Sequence, residues 1–191
     1  MIINYFFNRE LPEAITLDPT PVETNWQKRG YHLCYAHKWS QCNKFNLHSM
    51  IDTDLTFYET EKDRGLNVQA FGLSNEITEC VPQYQVHEDR LVCQMKYGIV
   101  FYTDETCFVE LQQSHLTPND MRIISGKFDI SKWVRPINIS FELLQKQKTY
   151  SIKRNDILAQ IAFYTPNINE SIKLNHVDNP DQKLLELANS N

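Results

Sequence analysis

Glycine is scarce in this chain. Five occur in 191 residues, where an average composition would supply about 7%. Glycine-rich phosphate clamps need several glycines at fixed spacing, and no GxGxxG or GxxxxGK[ST] string is present. No CxxC pair occurs among Cys34, Cys42, Cys80, Cys93 and Cys107. An odd cysteine count with no signal peptide predicts reduced thiols in a cytosolic setting. Long apolar runs are also missing. Ile157–Thr165 is among the longest, well short of the ~20 residues that span a bilayer. The start, MIINYFFNRE, has no basic segment and meets charge at Arg9, which is not the pattern of a signal peptide. Nucleophilic catalysis has no foothold either: GxSxG is absent, and no cysteine has the basic, helix-start setting that lowers a thiol pKa.

What is present describes a globular chain: 41% hydrophobic, 12% aromatic and 23% charged residues. The net charge of −5 argues against a general nucleic-acid binder. It hides an asymmetry. Arg122 to Arg154 holds eight basic residues (Arg122, Lys127, Lys132, Arg135, Lys146, Lys148, Lys153, Arg154) against Asp129 and Glu142, so this stretch is +6 and the remainder −11. Such a stretch is either a basic face toward an anionic ligand or acidic neighbouring subunit, or the solvated side of a hairpin.

Hydrophobic periodicity predicts a mainly β chain. Met1–Phe7 reads as a first strand, and the proline-bearing segment Leu11–Asn25 as an extended surface arm. Ala36–Asn43 can form one or two helical turns. Leu55–Tyr58 and Asn67–Phe71 read as strands around a charged turn. Arg90–Tyr102 reads as two strands or as one strand bent at Gly98, and Gly98–Leu111 as a hairpin. Pro136–Leu144 alternates most clearly, with Ile137, Ile139, Phe141 and Leu143 on one face and Asn138, Ser140 and Glu142 on the other. Ile157–Tyr164 is apolar on both faces, as in a central strand. Ile137, Ile139, Phe141, Ile157, Ile161 and Phe163 are the expected core. At the C-terminus, Asn179 as N-cap and Pro180 as first residue would open a short helix docking through Leu184, Leu185 and Ala188. The expected architecture is an antiparallel β-sandwich or a β-clip or jelly-roll-like domain, with an N-terminal extended arm and a short C-terminal helix. As one domain over 1–191 it divides into strand and arm (1–25), β core (26–166) and tail with helix (167–191).

Two resemblances rest on motifs. Asp156-Ile157-Leu158-Ala159-Gln160 is similar to the D-x-[IL]-A-Q string of the dUTPase and dCTP-deaminase β-fold. The chain lacks that fold's G-x-[IV]-D-x-x-[YF]-x-G segment and its glycine-rich C-terminal arm, so no catalytic residue carries over. Over more of its length, the chain looks like an uncharacterised domain-of-unknown-function family of bacterial and tailed-phage proteins. The motifs are the stretch Cys34 to Asn46, the Gly98–Leu111 segment, and the strands within Pro136 to Pro166. That resemblance implies a β-rich fold and a phage association, and no activity.

Candidate chemistry is sparse. His32, Cys34, His37 and Cys42 lie within eleven residues and include only ligand types that zinc accepts, but H-x-C-x2-H-x4-C matches no common zinc spacing. No metal and no cofactor is therefore expected. Asp104 and Glu105, with His115 following, could act as acid and base, although turns are where acidic residues ordinarily go. Tyr31, Tyr35 and Trp39 interleave with basic side chains and could stack on a base, a sugar or a partner side chain. With Arg135, Lys146 and Lys148 they form the expected binding set. The sequence thus reads as a non-catalytic binding or assembly protein, in the specific version a phage-associated accessory or structural protein. Its partner would be a protein or a second copy, with no membrane and no nucleic acid. Its expected location is cytoplasmic, meaning the host cytoplasm or the virion if phage-encoded. The alternative is a small nucleotide- or sugar-processing enzyme on a dUTPase-like or jelly-roll scaffold.

Overall fold

The computed structural model describes residues 1–8, 16–22, 35–60, 65–70, 78–80, 91–114, 117, 120–144 and 149–190. Within them the protein is mainly β. Sheet A follows the order β14 (Lys173–His176), β1 (Ile2–Phe7), β7 (Leu91–Tyr102), β11 (Pro136–Leu143), β9 (Met121–Ile123), and β6 (Thr78–Cys80) also pairs with β7. Sheet B runs β10 (Gly126–Asp129), β8 (Phe108–Gln112), β13 (Ile157–Tyr164), β3 (Lys44–His48), β2 (Thr20–Pro21). A third sheet joins β12 (Thr149–Ile152), β4 (Thr53–Thr60) and β5 (Gly65–Ala70). Helix α1 spans Tyr35–Ser40 and α2 spans Gln182–Asn189.

The sheets pack as a sandwich around the alternating faces that the sequence marks. Ile137, Ile139, Phe141 and Leu143 of β11 are buried on the inner face of sheet A. Ile161 and Phe163 of β13 are buried opposite them, and Phe163 meets Phe101 of β7 edge to face at 5.3 Å. Ile157 is only half-buried. Strand β7 is a single strand bent at Gly98, whose φ of 79° is open to glycine at little cost. The bend divides its partners. Its first part pairs with β6, its last part with β1, and β11 bridges both across a register shift between Ile137 and Ile139.

Three local expectations need correction. Gly98–Leu111 is not a hairpin, because β7 lies in sheet A and β8 in sheet B. The short link after Tyr102 carries the chain from one sheet to the other, a gap of about 10 Å. The helix cap is Asp181, not Asn179: the Asp181 side chain accepts from the Leu184 backbone N–H at 2.8 Å, and Pro180 precedes the cap. The 167–191 tail also contributes β14, which pairs parallel to β1, so the sandwich is antiparallel at every other described pairing. Helix α2 docks on its own chain. Ala188, Leu184 and Leu185 cover Phe6 and Val100 on the outer side of sheet A, while Gln182, Lys183 and Glu186 face solvent.

Strand β9 ends sheet A in an unusual way. Arg122 pairs with Glu142 of β11, so Met121 and Ile123 turn their backbone groups outward. The Gln113 side chain fills that side: its amide donates to the Met121 carbonyl at 3.3 Å and accepts from the Ile123 N–H at 2.6 Å. Gln113 directly follows β8, so this one amide ties the edge of sheet A to sheet B.

Candidate functional site

Beyond α2 the outer face of sheet A is open among the described residues. A groove of about 1700 Å³ starts there and continues past β9 to β8 and β10 of sheet B, its lining including Ala188–Ser190, the β9–β10 connection, Leu111 and Phe128. Its floor follows from strand alternation: the residues of β11 that do not enter the core, Asn138, Ser140 and Glu142, face outward. Ser140 is the register partner of Gln94 on β7, and Glu142 that of Arg122 on β9. Glu142 is buried, and the exposed Arg122 guanidinium approaches it at 3.8 Å. Gln94, Asn138 and Ser140 are half-buried, and their side chains make no hydrogen bond among the described residues.

The rim is built by the turn after β10. Asp129 accepts from the Ser131 N–H at 3.0 Å and from the Ser131 hydroxyl at 2.6 Å, and its carbonyl accepts from the Trp133 N–H at 2.9 Å. The Ser131 hydroxyl, with Lys132 beside it, holds the Asp129 carboxyl below its ordinary pKa. This tight turn sets Trp133 on the groove, 44% exposed, with its ring edge to face on Phe128 at 4.6 Å. The Arg135 guanidinium lies 5.7 Å from the Trp133 ring. An aromatic plate, a guanidinium and a row of uncharged polar groups thus share one surface.

The basic stretch only partly converges here. Arg122 and Arg135 reach the groove. Lys127 borders it, but its ammonium lies 4.2 Å over the Tyr164 ring on the outer face of sheet B. Lys132 pairs with Asp129 at 3.2 Å, and Arg154 donates to the Met50 carbonyl at 2.7 Å on another turn. Lys146 and Lys148 lie outside the described residues, as do Tyr31, His32, Cys34 and His115. Tyr35 and His37 lie in α1, with their side chains outside the described set. Trp39, 53% exposed on α1, does not line the groove. Cys42 is exposed after α1, and no group of three metal-ligating side chains occurs among the described residues. Asp104 and Glu105 are exposed on the link between the sheets. Cys107 is buried, and burial pushes its thiol up to about 11, the reverse of an activated nucleophile.

Trp133 is the groove residue that sequence reasoning missed. Its signal was a tryptophan flanked by polar and charged residues in Ser131-Lys132-Trp133-Val134-Arg135, outside any apolar period. Among the described residues, no helix is long and apolar enough to cross a membrane. No protein-family model matches the chain, and no curated protein matches it.

Proposed function

We propose that the chain is a non-catalytic binding or assembly protein and that the groove on sheet A is its contact surface. The observation that carries this reading is a row of half-buried polar side chains, Gln94, Asn138 and Ser140, that have no hydrogen-bond partner among the described residues and share a groove with the exposed Trp133. Such groups are hydrated in the free chain, and a bound partner can replace that water with hydrogen bonds of its own. The resemblance to bacterial and tailed-phage proteins supports an accessory or structural role in a phage particle. Titration followed by NMR tests the reading, with the Gln94 and Asn138 side-chain amides as reporters. The probes are dUTP, a glutamate-rich peptide and neutral hexasaccharides. A saturable shift of those amides with no turnover is the expected result. Hydrolysis of a probe, or no shift with any of them, would overturn it.

A further inference from the structure

The groove's chemistry narrows its ligand. A sugar ring presents apolar C–H faces and an edge of hydroxyls that donate and accept. A site for it needs a flat aromatic surface beside planar polar groups that can do both. Trp133 is the exposed aromatic, held in place by Phe128. Gln94 and Asn138 each offer two donors and a carbonyl acceptor, and Ser140 a hydroxyl. Successive outward residues of one strand stand roughly 7 Å apart. Asn138, Ser140 and Glu142 therefore spread hydrogen-bonding groups over a distance longer than a single ring.

Charge and backbone argue against other occupants. Of the eight basic residues in the Arg122–Arg154 stretch, Arg122 stands beside Glu142 and Arg135 beside Trp133, and the Lys127 ammonium turns to sheet B. Among the described residues Glu142 offsets Arg122 and Lys127 turns away, so Arg135 carries the groove's remaining positive charge, little for a polyphosphate or an acidic peptide to be held by. A peptide adding as a strand would need the outer edge of β9, and the Gln113 amide occupies it. The space, about 1700 Å³ and open along its length, exceeds the ~300–1,000 Å³ of compact small-molecule pockets. We infer that the groove binds a neutral oligosaccharide chain, with Trp133 stacking on a ring face and Gln94, Asn138 and Ser140 hydrogen-bonding its hydroxyls. This inference rests on the groove being the binding surface proposed above.

The test is calorimetric titration of the full chain with cellohexaose, maltohexaose and chitohexaose, beside a glutamate-rich peptide and inorganic phosphate. At least one hexasaccharide should bind saturably, with an affinity indifferent to added salt. Trp133→Ala should weaken it tenfold or more. Asn138→Ala with Ser140→Ala should weaken it severalfold while the melting temperature holds. If Trp133→Ala loosens the turn, the double variant alone decides. Binding of none of the three sugars, or binding unchanged in the variants, would overturn the inference. Binding of the peptide alone would overturn it while leaving the binding reading intact. Turnover of a sugar would remove the non-catalytic reading and keep the ligand class.

Discussion

Sheet B and the groove side of sheet A use their outward polar groups in opposite ways. On sheet B the outward polar groups bond to one another. Gln160 donates to Asn46 at 3.1 Å with both side chains buried, Thr20 meets His48 at 2.7 Å, and the Gln112 amide reaches Glu110 and Tyr164. On sheet A the corresponding groups, Gln94, Asn138 and Ser140, have no such partners among the described residues. The alternation of apolar and polar residues is the same in both. It decides which face is buried in the core, and it leaves open whether the polar face is closed on itself or kept for something else. A closed polar row braces the fold; the open one beside Trp133 is, in the function proposed above, kept for a partner.

Mutations can break this comparison at several strengths. The inner face sets the scale: Phe141→Ala removes a fully buried ring and should cost about 3–5 kcal/mol in urea unfolding. The outer face of sheet B comes next. Gln160→Ala orphans the buried Asn46 side chain and should cost about 1–3 kcal/mol. Tyr97→Phe removes a buried phenol that donates to the His48 carbonyl at 2.9 Å, a loss of about 1 kcal/mol at neutral pH. It should also change the alkaline limb. Burial raises the Tyr97 phenol well above its ordinary 10.0, so above that pH the folded state holds a proton that the unfolded chain releases. That stabilisation is complete below pH 10 and is lost as pH rises beyond it, and Tyr97→Phe should make the loss shallower in a pH series of melts. Smallest of all, Ser140→Ala on the open face of sheet A should lie within about 0.5 kcal/mol of the parent. A Ser140→Ala cost equal to that of Gln160→Ala would erase the distinction between the faces.

Much of the fold was legible because strands announce themselves locally. The alternation in β11 and the apolar run in β13 each follow from a single segment's burial, and both appear in sequence. Pairing does not announce itself. Val109 and Leu111 look like the return of a hairpin from Ile99 and Phe101, yet they bury against β13 and β10 in the other sheet. Strand β14 was invisible for a related reason: Lys173–His176 has one half-buried apolar residue, Leu174, and its partner β1 lies at the far end of the sequence. The proposed site was legible as an excess of positive charge; among the described residues Arg122 and Arg135 reach the groove and Lys127 borders it. Its uncharged floor could not be read, since an asparagine facing a groove and one facing bulk water look alike in sequence.

Gln113 carries a consequence for the protein in a crowded solution. An exposed strand edge is a template on which a second chain can continue the sheet, and continuation repeated from copy to copy makes a fibre. At β9 the template is filled by a single side-chain amide, which satisfies the outward groups of Met121 and Ile123 without offering another edge behind it. Among the described residues the end of sheet A on that side is therefore a chemical stop rather than a place where strands run out, and it rests on Gln113. Replacing Gln113 with leucine would remove the link from this edge to sheet B and expose the backbone groups of Met121 and Ile123 to a second chain.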